Sequence, residues 1–71
     1  MPNTDLKKLG NKIRFLRHQK QLTQEQLAEL TDLHRTYIGG IERGERNVSL
    51  INLIRIAKAL NITVSKMLED I

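Results

Sequence analysis

The chain has 71 residues, a formal net charge of +4, 39% apolar residues, no cysteine and only two aromatics, Phe15 and Tyr37. That length allows one domain near the lower limit for folding without staples, and the missing thiols exclude disulfides and thiolate metal sites. No apolar run approaches the roughly 20 residues of a membrane span, and "MPNTDLKKLG" lacks the apolar core of a signal peptide, so a protein of the reducing cytoplasm is expected.

A first helix is expected near 6–19, capped by Thr4 or Asp5. Leu6, Leu9, Ile13 and Leu16 recur at steps of three and four, one buried stripe that fades at "RHQKQ". Lys7, Lys8, Lys12, Arg14, Arg17 and Lys20 sit on or beside it against one acid, Asp5. Such a balance suits a nucleic-acid partner, and it serves solubility equally well. The second helix, near 24–30, opens on a capping box, Thr23 with Gln26, with Leu22 at the staple position and Leu27, Ala28 and Leu30 as its apolar face. It ends near "TDL". A third helix is expected near 35–43, stopped by Gly44. After the loop "GERNV", Ser49 caps a fourth helix near 50–60 with Leu50, Leu53, Ile54, Ala57 and Leu60 as its stripe. Thr63 or Ser65 opens a last short helix near 64–69. No period-two alternation, hairpin dipeptide, repeat or linker interrupts the series. The expected architecture is all-α, a compact five-helix bundle forming one domain over residues 1–71.

The third helix holds two adjacent glycines, Gly39 and Gly40. Each costs roughly 1 kcal/mol relative to alanine in a helix interior. At about 100° per residue with Arg35 at zero, Tyr37, Ile38 and Ile41 share an arc between about 200° and 300°, while the glycines fall at about 40° and 140°. They therefore share the outward rows of Arg35 and Thr36. A face of arginine, threonine and two bare backbone positions suits close approach by something wide and rigid. The major groove of duplex DNA admits a helix this way, with its first turn at the base edges. The plainer alternative is two glycines tolerated without a role.

"TQEQLAELTDLHRTYIGGIERGERNVSLINLIRIAKALNI" resembles the helix-turn-helix of the lambda-repressor-like (Cro/cI, XRE) family, with similarity running roughly from Leu9 to Leu68. Gln24 stands at the start of the first motif helix, Ala28 at the small crossing position, and Ile38 and Ile41 at core positions of the recognition helix. "HRTYIGGIERGERN" is similar above all to restriction–modification controller proteins. The turn departs from the pattern, holding Asp32 where glycine is usual, and aspartate tolerates left-handed backbone better than most residues.

The resemblance implies a homodimeric transcriptional regulator, not an enzyme, that binds a palindromic operator in its own promoter. Arg35 and Thr36 would read bases, arginine offering a bidentate fork to guanine O6 and N7. Tyr37 has two compatible readings, a core ring and a hydroxyl that reaches a phosphate. Thr23 and Gln24 lie at a helix N-terminus that favours a phosphate, although Thr23 is already explained as a cap. Arg46 and Asn47 in the loop are further DNA candidates, with Arg43 and Arg17 weaker phosphate candidates. The family pairs an arginine of the first helix with the residue matching Glu42, which gives Arg14 a structural reading instead. His18 and His34 show no metal-ligand spacing, so no metal and no cofactor are expected.

Ile51 and Ile56 are surplus to the fourth-helix stripe, and Ile62, Val64, Met67, Leu68 and Ile71 crowd the end of the chain. So small a domain struggles to bury them all, and a two-fold dimer interface is expected from these seven residues. The partners are then double-stranded DNA and a second copy, with RNA polymerase a further candidate and no membrane or small-molecule ligand. An XRE-type antitoxin, a phage- or plasmid-type repressor and an adaptor using the fold without DNA are the rival readings.

Overall fold

Asparagine, serine and threonine side chains open four of the five described helices. A computed structural model describes residues 3–71, so the first two residues of the expected domain lie outside the described residues. Five helices follow one another: α1 (Thr4–Gln19), α2 (Gln24–Thr31), α3 (Arg35–Glu42), α4 (Leu50–Ala59) and α5 (Val64–Met67). The all-α five-helix expectation is borne out. The α1 cap is Asn3, one residue before the earlier candidate, because its side chain already accepts from the amides of Asp5 and Leu6 at 3.0 and 3.2 Å. At α2 both halves of the capping box form: Thr23 Oγ1 accepts from the Gln26 amide at 3.0 Å, and Gln26 Oε1 from the Thr23 amide at 2.8 Å. Ser49 and Thr63 cap α4 and α5. His34, before α3, makes no side-chain cap.

The first four helices end by one device. The amides of Leu22, Leu33, Glu45 and Ile62 return to the carbonyls of Arg17, Ala28, Gly40 and Ala57. In each case the preceding residue, Gln21, Asp32, Gly44 or Asn61, is left-handed. These are Schellman turns, which satisfy the last carbonyls and aim the next residue back at the helix. Leu22, Leu33 and Ile62 use that aim to pack half-buried on the core. Asp32, at φ 57° and ψ 37°, makes the motif turn without glycine.

α3 is clasped between α1 and α2, while α4 packs on α2 and α5, and α5 also reaches α1. Leu9, Ile13, Leu27, Ile38, Ile41, Leu53 and Leu60 fill the interior of a body 31 × 24 × 21 Å. Where α1 meets α3 there is no room for a side chain: a β-carbon at Gly10 would collide with the carbonyl of Ile41 and lie 2.6 Å from that of Glu42.

The core differs from expectation on α4 and α5. Ile56 and Met67, expected at a dimer interface, are both 0% exposed and belong to the interior. Leu50 and Ile54, expected in the buried stripe, are 66% and 36% exposed. At about 100° per residue the apolar positions of α4 and its cap Leu60 cover an arc of about 280°, wider than one packing face. Periodicity cannot choose which half of such an arc turns inward; packing against α2 and α5 selects the half centred on Ile56, Leu60 and Leu53. Leu30, expected on the apolar face of α2, is likewise exposed, and Leu27, Ala28 and Thr31 make that face.

Candidate nucleic-acid interface

The site is built around a carboxylate with no access to water. Glu42 ends α3 with a fully buried side chain, which an unpaired charge could not tolerate. Arg17 of α1 grips it with both prongs, Nε to Oε2 at 2.7 Å and Nη2 to Oε1 at 3.0 Å, and its Nη1 donates to the Leu22 carbonyl at 2.8 Å. Gln24, the first residue of α2, donates Nε2 to the same carboxylate at 3.1 Å. Three helices thus meet on one side chain, and no buried polar side-chain atom among the described residues lacks a partner.

This network corrects the expectation for Arg17. It is 7% exposed, with its guanidinium turned inward onto Glu42 and the Leu22 carbonyl, so its head is not presented to a phosphate. The expected pairing of Glu42 with an α1 arginine holds, but Arg17 is its main partner; Arg14, half exposed, stands 3.7 Å away. Only packing distinguishes the two arginines, which lie three residues apart on the helix.

The network also sets the outer surface. With Gln24 tethered to the far end of α3, the start of α2 lies beside α3, and Gln24, Arg35, Thr36, Gly39 and Arg43 line one shallow depression. Arg35 and Thr36 are exposed on the first turn of α3. Thr23 is exposed and serves as the α2 cap. Arg46 and Asn47 are exposed in the loop after α3, and Arg43 pairs with Glu45 at 3.1 Å. Tyr37 is half-buried against the core, and its hydroxyl accepts from Asn52 Nδ2 at 3.2 Å, tying α3 to the start of α4. Sequence gave no sign of that tie, because an asparagine on an apolar helix has many uses.

The expectation of two bare glycines needs correction. Gly39 and Gly40 are buried, yet what covers them is polar and not the core. Arg43 Nη1 and Gln24 Oε1 would lie 3.1 and 3.6 Å from a β-carbon at Gly39, and Arg46 Cγ 2.7 Å from one at Gly40. The helical wheel placed their rows correctly but could not show that the Arg43 head and the Gln24 amide fold over Gly39 and the Arg46 stem over Gly40.

No group of His, Cys, Asp and Glu among the described residues is placed to hold a metal ion, and no described helix is long and apolar enough to cross a membrane. A helix-turn-helix family model matches residues 13–67, all but the ends of the bundle just described. The chain is 57% identical over 60 residues to control protein C.SmaI of Serratia marcescens, covering 84% of this chain and 71% of that one. It belongs to the restriction–modification controllers of the helix-turn-helix family. With control protein C.MunI of a Mycoplasma species the identity is 49% over 65 residues, 90% of this chain and 88% of the relative. The crystal structure of the controller protein C.AhdI from Aeromonas hydrophila superposes with a TM-score of 0.89 at 49% identity, over 92% of this chain and 98% of that one. This controller-family chain is accordingly a DNA-binding transcriptional regulator and not an enzyme.

Proposed function

We propose that two copies of the chain bind a palindromic operator in its own promoter, each laying α3 in the major groove of one half-site. The carrying observation is the pair Arg35 and Thr36, exposed on the first turn of a helix whose position α1 and α2 fix through Glu42. Arg35 reads a guanine edge and Thr36 a neighbouring base. Phosphates on either side are met by Thr23 and Gln24 at the start of α2, by Arg43, Arg46 and Asn47, and by the Tyr37 hydroxyl, which donates its proton while its oxygen accepts from Asn52.

The dimer face consists of what the fold leaves uncovered. Ile51, Leu68 and Ile71 are exposed and Ile62 and Val64 half-buried, and Leu50 and Ile54, turned out of the core, extend the patch along α4. A second copy buries this patch and supplies the second reading helix about one DNA turn away, roughly 34 Å. Such a dimer works in the cytoplasm and responds to its own concentration, and contact with RNA polymerase is how it would activate rather than block.

Gel shift on a duplex of the chain's own upstream region, repeated across salt and against a scrambled duplex, tests the reading. Specific, salt-sensitive retardation by two protomers is expected. Equal binding to both duplexes, or binding as one protomer, would overturn it.

A further inference from the structure

The Schellman turn after α3 has an effect on its surface. Gly44, at φ 75°, and the bond from the Glu45 amide to the Gly40 carbonyl at 2.9 Å send the chain back along the helix it has just left. Residue 46 therefore lands on Gly40. A β-carbon there would stand 2.7 Å from Arg46 Cγ, 3.6 Å from Nε and 3.7 Å from Cδ. The first distance is far inside carbon–carbon contact, roughly 3.5 Å, and it falls at the root of the stem, where rotating the guanidinium gives no relief. No carboxylate among the described residues lies within ion-pairing distance of Arg46; the adjacent Glu45 pairs with Arg43 instead. Its stem is thus held by packing on bare backbone while its charged head stays unclaimed, an arrangement long cationic side chains favour.

We infer that Gly40 is a positioning residue: it seats the Arg46 stem and so presents the guanidinium, in a fixed place beside α3, to the DNA backbone. The inference rests on the proposed contact of Arg46 with a phosphate. It replaces the idea that Gly40 is small so that the duplex can come close. In the seat account a side chain at residue 40 does harm only through Arg46; in the close-approach account it does harm whatever stands at residue 46.

A double-mutant cycle separates the two. Gly40→Ala, Arg46→Ala and the double variant are titrated by fluorescence anisotropy against a labelled duplex of the upstream region, across a salt series. The seat predicts that each single variant loses roughly tenfold in affinity and about one unit of salt slope, with the double variant no weaker than Arg46→Ala. Losses that multiply, a Gly40→Ala loss at unchanged salt slope, or full affinity of Gly40→Ala each overturn it. Full affinity of Arg46→Ala overturns the phosphate contact itself and the seat with it, an outcome visible in that single variant alone. Should Gly40→Ala fold poorly, the unaltered protein still decides. The Arg46 Nε–H heteronuclear NOE should lie nearer backbone values than that of exposed Arg55, and equal mobility would overturn the seat.

Discussion

At the scale of single residues, the division of labour among arginines is set by what surrounds each head. Arg17 is inside, bidentate on Glu42; Arg35 is outside on the first turn of α3. Removing one partner of a buried pair strands the other charge and costs about 3–5 kcal/mol. A domain of this size has roughly 4–10 kcal/mol in all, so Arg17→Ala should melt far below the parent, with much of it unfolded at 37 °C. A melting temperature within a few degrees of the parent would contradict the buried pair. Arg35→Ala should leave thermal stability alone, lose about 1–3 kcal/mol on the operator and relax preference at one base pair. Equal losses on every duplex in a binding-site selection would move Arg35 to the phosphate class. Both arginines are visible in sequence, but their opposite fates are not, because burial depends on where α3 and α2 close over α1.

At the scale of elements, helix starts were legible and packing faces were less so. The Thr23–Gln26 box and the Ser49 cap act within three residues, so local sequence suffices to place them. The α1–α3 crossing depends on residues far apart in the chain, and the role of Gly10 went unread although it lies inside the stripe between Leu9 and Ile13. Alanine there raises helix propensity yet must push against the carbonyls of Ile41 and Glu42. Gly10→Ala should therefore destabilise by about 1–3 kcal/mol in urea denaturation, and a gain in stability would show that the crossing is looser than described. Asp32 presents the opposite case, a left-handed residue carrying a side chain. Asp32→Gly relieves that strain and should stabilise by up to about 1 kcal/mol, less what glycine adds to the unfolded chain's entropy. A lower melting temperature would mean that the aspartate side chain holds the turn.

At the scale of the whole molecule, the exposed face of α4 continues into the half-buried and exposed apolar residues of the C-terminal end. If it is the dimer face, Ile51→Asp should turn a sedimenting dimer into a monomer at micromolar concentration and weaken operator binding, while the fold survives because the position is 66% exposed. A parent protein that sediments as a monomer, both free and on DNA, would refute this.

Sequence alone determined the helix count, most of the caps, the left-handed turn at Asp32 and the exposed pair Arg35 and Thr36, since propensity, capping and the resemblance along the chain carry that information. Tertiary structure decided which half of a broad apolar arc faces inward, moving Ile56 and Met67 into the core and Leu50 and Ile54 out of it. It also decided which α1 arginine holds Glu42, and what covers Gly39 and Gly40. Each of these depends on which distant segments pack together in the folded chain, and such contacts leave no local trace in the sequence.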